Sequence, residues 1–141
     1  MDAQRAQIRR TELMKQKRQF AKAVQRKAKR GFRGYPLATV ALYGPDDRQA
    51  TKLAVGIVVD ESDEPVDLRR WLSETSDLRE DPVVEKELVE FIRGHAVRSV
   101  VMADRIIGCP HEEGIDYPEG EVCPECPFWA HRDRWTGEVI H

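Results

Sequence analysis

The sequence predicts a small α/β domain, with α+β as the alternative, in which a mixed sheet of three to four strands carries one covering helix. Three observations predict it: two apolar runs joined by a turn signal, an amphipathic helix further along the chain, and another β-branched run directly after that helix. A basic helical segment precedes this core and a Cys/His-rich segment follows it. The predicted divisions are a basic helical arm at 1–34, the α/β core at 35–106, and a metal-binding loop with its tail at 107–141.

The first two strands are predicted at 37–43 and 52–59, where the chain reads LATVALY and KLAVGIVV. Gly44 and Pro45, followed by two aspartates, form a strong turn signal between them. We therefore expect an antiparallel hairpin. Both runs are apolar at nearly every position, which favours central strands that are covered on at least one face by a helix.

A third strand is predicted at 66–72, where apolar and polar residues alternate. The covering helix should begin at Asp81-Pro82, because aspartate caps free backbone N–H groups and proline suits the first helical position. Val84, Leu88 and Ile92 then recur at helical spacing until Gly94, and a last strand follows at 97–103.

The order strand, strand, strand, helix, strand resembles the first part of the ribonuclease H-like fold over residues 37–104. The resemblance implies a fold and not an activity. Catalysis in that family requires a carboxylate on the first strand to hold Mg²⁺, and residues 39–43 contain none.

Charge is distributed very unevenly along the chain, although the net charge is only −2. Residues 1–34 contain 12 Lys/Arg against 2 Asp/Glu, whereas residues 35–141 contain 11 against 23. From Ala3 to Arg30 there is no glycine or proline and good helix formers dominate, so a continuous basic helix is predicted there. Gly31 and Gly34 should end it.

Three interpretations of this basic segment remain open: a solvated or partly disordered arm, an arm that binds nucleic-acid phosphates, and an arm that docks on an acidic surface of its own domain or of a partner protein. If it binds nucleic acid or a ribonucleoprotein, the candidate residues are its central cations. They are Arg9, Arg10, Lys15, Lys17, Arg18, Lys22, Arg26, Lys27, Lys29 and Arg30.

All three cysteines lie beside a histidine at metal-ligand spacing. Cys109 and His111 form a C-x-H pair, and Cys123 and Cys126 form a C-x-x-C pair after eleven intervening residues. Together they form a Cys3His set suited to tetrahedral Zn²⁺, with free buried cysteines as the alternative. The fourth ligand is predicted to be His111, with His131 or a water molecule as alternatives.

Two resemblances concern this segment. Its C-P-x-C sequence resembles the knuckles of zinc ribbons and rubredoxin-like modules, which implies a structural metal. His111-Glu112-Glu113 followed by C-x-x-C is similar to the signature of zinc-dependent nucleobase deaminases, which implies that Glu113 would transfer protons for a zinc-bound water. The density of glycine and proline between Gly108 and Pro127 favours the structural alternative, because such a loop has little core of its own.

Composition limits the compartment and the function. No apolar run approaches the roughly 20 residues of a membrane helix, and no secretory signal is recognisable, so no membrane partner is expected. Three cysteines without a disulfide pattern favour a reducing, cytoplasmic location. The resulting hypothesis is a non-enzymatic, zinc-containing binding or adaptor protein that associates with nucleic acid or a ribonucleoprotein. Its alternatives are a deaminase-type zinc hydrolase and a protein–protein interaction module.

Overall fold

The computed structural model describes residues 20–62, 64–130 and 132. Over these residues the chain forms two helices and four strands. In order they are α1 (Lys22–Lys29), β1 (Leu37–Tyr43), β2 (Lys52–Val58), β3 (Asp67–Leu72), α2 (Pro82–Gly94) and β4 (Ser99–Ile106), with short 3-10 turns at Leu78–Glu80 and Pro127–Trp129. Within these ranges, no helix has the length and apolar character that crossing a bilayer requires.

The strands form one mixed sheet in the order β3-β2-β1-β4. β2 pairs antiparallel with β1 and with β3, whereas β1 and β4 run parallel because α2 returns the chain to the same end of the sheet. The predicted mixed α/β fold is confirmed, including the hairpin of two central strands, the third strand and the helix that starts at Asp81-Pro82. Asp81 accepts hydrogen bonds from the backbone N–H groups of Val83 and Val84, as a helix cap does.

The core lies on one face of this sheet. Strand register places Val40 opposite Val55 and Leu42 opposite Leu53, and all four side chains are buried. The two helices supply the covering layer of the same cluster. Their buried contributions are Phe20, Ala21 and Val24 from the α1 region and Val84, Leu88 and Ile92 from α2.

The last strand differs from the prediction in its limits. It was expected at 97–103 and runs from Ser99 to Ile106. Its start is delayed because the backbone N–H groups of Arg98 and Ser99 both donate to the carbonyl of Pro36, which turns the chain before pairing begins. Its end is extended by a β-bulge, since Met102 pairs with Val40 but Ile106 pairs with Leu42.

The basic segment also differs from the prediction. A continuous helix from Ala3 to Arg30 is wrong at Ala21, which has a left-handed backbone (φ 51°) and donates its N–H to Glu85 Oε1 at 3.1 Å. The helix therefore begins at Lys22; residues 1–19 lie outside the described part of the chain. Phe20 is only 2% exposed and Val24 is buried, so this part of the segment packs on the apolar core and β4, not in solvent.

We expect Phe20→Ala to lower the free energy of unfolding by about 3–5 kcal/mol, because it leaves a cavity between α1 and the sheet. Lys22→Ala, two residues away and exposed, should change it by less than about 0.5 kcal/mol. Urea denaturation measures both. Equal, small effects would contradict the docking of α1 on the core.

Candidate metal centre

The structure brings the four predicted ligands together. His111 Nδ1 lies 3.2 Å from Cys109 Sγ and 3.4 Å from the Sγ atoms of Cys123 and Cys126. All four ligand atoms lie within 4.8 Å of one another. Metal–sulfur and metal–nitrogen bonds of about 2.3 and 2.0 Å at tetrahedral angles would separate sulfur from nitrogen by about 3.5 Å. The cluster of Cys109, His111, Cys123 and Cys126, called here the Cys3His cluster, could therefore hold a metal ion.

The first half of the cluster is positioned by the end of the sheet. Ile107 donates its backbone N–H to the carbonyl of Leu42, and Gly44 donates its N–H to the carbonyl of Gly108 at 2.9 Å. Cys109 thus starts at a fixed point beside the end of β1. Two residues after Cys109, the backbone N–H of His111 donates to Cys109 Sγ at 3.3 Å, which orients the sulfur within the C-x-H pair.

The second half is fixed by aromatic side chains. Tyr117 is buried with Cys123 and Cys126 in a small cluster separate from the main core, and Trp129 packs against both clusters. The indole Nε1 of Trp129 donates to the carbonyl of Gly44 at 2.8 Å. Gly44 therefore contacts both halves of the loop. A Cβ at this position would lie 1.9 Å from the carbonyl oxygen of Gln49, so only glycine fits.

The electrostatics of the cluster fit a bound cation. Burial raises the pKa of the Cys126 thiol, and the adjacent Cys109 and Cys123 raise it further. Burial also raises the pKa of Cys109, despite the hydrogen bond that its sulfur accepts from the His111 backbone. Three thiolates this close repel one another, so the protein alone does not favour their ionisation. A metal ion supplies the positive charge that allows it.

Glu125 orients the histidine. Its Oε2 lies 3.0 Å from Nε2 of His111, on the side of the imidazole that faces away from the sulfur atoms. A carboxylate partner on the outer nitrogen fixes the ring and makes the inner nitrogen a better metal ligand. Glu125 was not predicted as a site residue, although it lies inside the C-x-x-C pair.

A buried lysine ties the loop to the sheet. Lys52, at the start of β2, is 7% exposed, and its Nζ donates to the carbonyl of Pro110 at 3.0 Å and to Glu112 Oε1 at 3.1 Å. Arg70 on β3 reaches the same carboxylate oxygen at 2.9 Å. The hydrogen bond from Lys52 holds the pKa of Glu112 below its usual range, and the nearby Arg70 adds to this effect. Glu112 is therefore an anchor that holds Cys109 and His111 against the second face of the sheet.

Glu113, the proton-transfer candidate that the deaminase resemblance implies, lies in a turn of the loop. Its carboxylate accepts a hydrogen bond from the backbone N–H of Gly120 at 2.8 Å, and its backbone forms an isolated bridge with Tyr117. The carboxylate thus closes a turn of the loop. The four ligand atoms of the cluster all come from the protein, a pattern typical of structural sites and not of catalytic ones. His131, the other candidate for the fourth ligand, lies outside the described residues.

The predicted nucleic-acid contacts divide into three groups. Lys22, Arg26, Lys29 and Arg30 have exposed side chains on or directly after α1. Lys27 is half-buried, and its Nζ donates to the carbonyl of Val97. The other five predicted residues lie outside the described part of the chain. They are Arg9, Arg10, Lys15, Lys17 and Arg18.

We expect Glu125→Gln to weaken the affinity of the Cys3His cluster for Zn²⁺ or Co²⁺ about 10- to 100-fold, because the imidazole loses its charged partner. Glu121→Gln, an exposed change in the same loop, should leave the affinity unchanged. Competition with a chromophoric chelator measures both affinities. Equal affinities in the two variants would contradict the orienting role of Glu125.

Comparison with protein-family models, with curated proteins and with solved structures finds no significant match. No relative therefore assigns a fold family or a role to any residue. The function must therefore be inferred from the geometry of the chain itself.

Proposed function

We propose that this chain is a non-enzymatic nucleic-acid-binding protein whose Cys3His cluster holds a structural Zn²⁺. The observation that carries the metal assignment is the convergence of three thiols and one imidazole nitrogen from a single irregular loop. Zn²⁺ accepts this borderline-soft ligand set and imposes no geometry through its d electrons, so a loop can wrap it. Cysteines that must stay reduced for metal binding favour a reducing compartment such as the cytoplasm.

The polar groups beside the cluster already bind other parts of the protein, which supports a structural site over a hydrolytic one. A hydrolytic zinc site needs an open position for water and a free carboxylate beside it. Here His111 belongs to the cluster, Glu112 binds Lys52, and Glu113 closes a turn. The groups that deamination would need are therefore used to hold the loop.

The distribution of charge supports nucleic acid as the partner. Because Val24 and Ala28 pack α1 on the core, the basic side chains of Lys22, Arg26 and Lys29 project to solvent from a fixed backbone. Phosphate groups bind such an array with release of counterions. The same array would also attract an acidic protein surface or a ribonucleoprotein.

Metal content tests the first half of this proposal. We expect one Zn²⁺ per chain in purified protein and its loss in Cys123→Ser, with Glu119→Gln, an exposed loop change, as the control. Removal of the metal by a chelator should speed hydrogen exchange in residues 109–129, while the sheet amides stay protected because the main core is a separate cluster. Metal-free protein with an equally protected loop would overturn the assignment.

Salt dependence tests the second half. Affinity for mixed-sequence RNA and DNA should fall steeply with salt, and Arg26→Glu/Lys29→Glu should reduce both affinity and the salt slope, by about 0.7–0.9 for each lost phosphate contact. Lys86→Glu/Arg93→Glu makes the same change in charge on the exposed side of α2 and serves as the control. Nucleic-acid binding that responds equally to the two double variants would contradict an interface on α1, and no binding would favour an acidic protein partner.

A further inference from the structure

One aromatic side chain is exposed to solvent in the segment that connects α1 to β1. Phe32 is 65% exposed, and it is the only aromatic residue of the described ranges whose side chain is exposed. Single exposed apolar residues are common on protein surfaces, so exposure alone indicates nothing. The surroundings of Phe32 make it informative.

The segment that carries Phe32, residues 31–36, is held firmly against the start of β4. Arg33 donates its backbone N–H to Ser99 Oγ at 2.7 Å, and the same hydroxyl donates to the carbonyl of Gly34 at 2.7 Å. Ser99 is 1% exposed, so this pair of bonds is shielded from water. The ring of Phe32 also meets the ring of Tyr35 edge-on, with 5.2 Å between centroids. The aromatic face is therefore fixed before any ligand arrives.

Three arginines lie close to this ring in the chain or in space, while Tyr35 on its other side borders Asp60 and Glu61. Arg30 and Arg33 flank it in the chain, and both have exposed side chains. Arg98 lies over the same segment, since a Cβ built on Gly34 would be 3.6 Å from its Nη1 atom. Within the part of the chain that the structure describes, none of these three arginines is recorded in an ion pair. Lys29, which directly precedes Arg30, adds a further exposed cation at the end of α1.

We infer that the segment 31–36 is a site for single-stranded nucleic acid, in which one base stacks on Phe32 and the neighbouring phosphates contact Arg30, Arg33 and Arg98. This inference rests on the proposed function and specifies its ligand. Such a ligand needs an aromatic ring on which a base can stack and positive charge along its phosphate backbone. The segment offers both, because Phe32 is exposed and arginines lie near it. A duplex keeps its bases stacked inside, so its bases cannot reach the ring without unpairing.

The site is predicted to tolerate many base sequences. A ring face stacks on any base, and the buried hydroxyl of Ser99 beside this segment is already bonded to Arg33 and Gly34. We therefore expect the site to distinguish single strands from duplex and not one base sequence from another. A preference between RNA and DNA depends on contacts to the 2′-hydroxyl.

The test compares full-length protein with Phe32→Ala and Phe32→Trp in binding labelled eight-nucleotide strands by fluorescence anisotropy. The ligands are single-stranded RNA, single-stranded DNA, a DNA duplex and an abasic DNA strand of equal length. Phe32→Ala should weaken binding of the base-containing strands about 5- to 100-fold, while Phe32→Trp retains it. The abasic strand has the same phosphates and no bases, so Phe32→Ala should not affect its binding.

Salt dependence separates stacking from charge. Phe32→Ala should leave the slope of log affinity against log salt unchanged, because stacking releases no counterions. Arg33→Ala should reduce the slope by about 0.7, the value for one phosphate contact of a single strand. Thermal unfolding of each variant checks that the exposed changes leave the fold intact. The ratio of RNA to DNA affinity identifies which single strand is the natural ligand.

The outcomes also separate this inference from the proposed function. If Arg26→Glu/Lys29→Glu weakens binding but Phe32→Ala does not, or if duplex binds more tightly than single strands, the stacking site is overturned and nucleic-acid binding stands. If no nucleic acid binds, both are overturned. Binding to anionic vesicles is the last measurement. If binding to vesicles requires Phe32 but binding to nucleic acid does not, the ring belongs to a membrane-binding surface and the inference is overturned.

Discussion

The parallel pairing of β1 with β4 is the constraint on which both proposed sites depend. At the start of the pair, the carbonyl of Pro36 accepts the N–H groups of Arg98 and Ser99, and Ser99 then fixes the segment that carries Phe32. At the other end, Gly44 meets Gly108 directly before the first cysteine. A parallel pair requires a crossover, which α2 provides, and the crossover needs the buried apolar stripe of α2 to hold it. The metal loop and the aromatic segment thus lie at opposite ends of one strand pair.

Elements that depend on local signals agree with the sequence analysis. The hairpin follows from two β-branched runs around a Gly-Pro turn, and α2 follows from an Asp-Pro start with helical periodicity. The last strand was displaced because a bulge adds residues that no alternation pattern reveals. The basic helix was predicted without a break because helix propensity cannot register that Phe20 inserts into the core beside the left-handed turn at Ala21. Tertiary packing overrode local preference at both places.

The candidate site also contains some residues that local sequence signals predict and others that only the folded structure reveals. The four residues of the Cys3His cluster lie within one short stretch whose spacing is itself the signal, so the sequence alone predicted their convergence. Lys52 and Arg70 were not recognisable, because each lies on a strand far from the loop in the chain and meets Glu112 only after the sheet forms. Phe32 was also missed. Its alternation with arginines and glycines was visible, but its exposure was not, since most phenylalanines are buried.

Gly44 gives the metal centre an unexpected dependence on the sheet. Its N–H donates to the carbonyl of Gly108, just before the first cysteine, and its carbonyl accepts from Trp129, after the last cysteine. Because it has no side chain, the β1–β2 turn can close. A substitution there would disturb the Cys3His cluster much as a substitution of one of its members would, although Gly44 is not a candidate ligand. A side chain at this position should therefore disturb the hairpin and the Cys/His loop together, whereas a chain without the cysteines would still need glycine to close the turn.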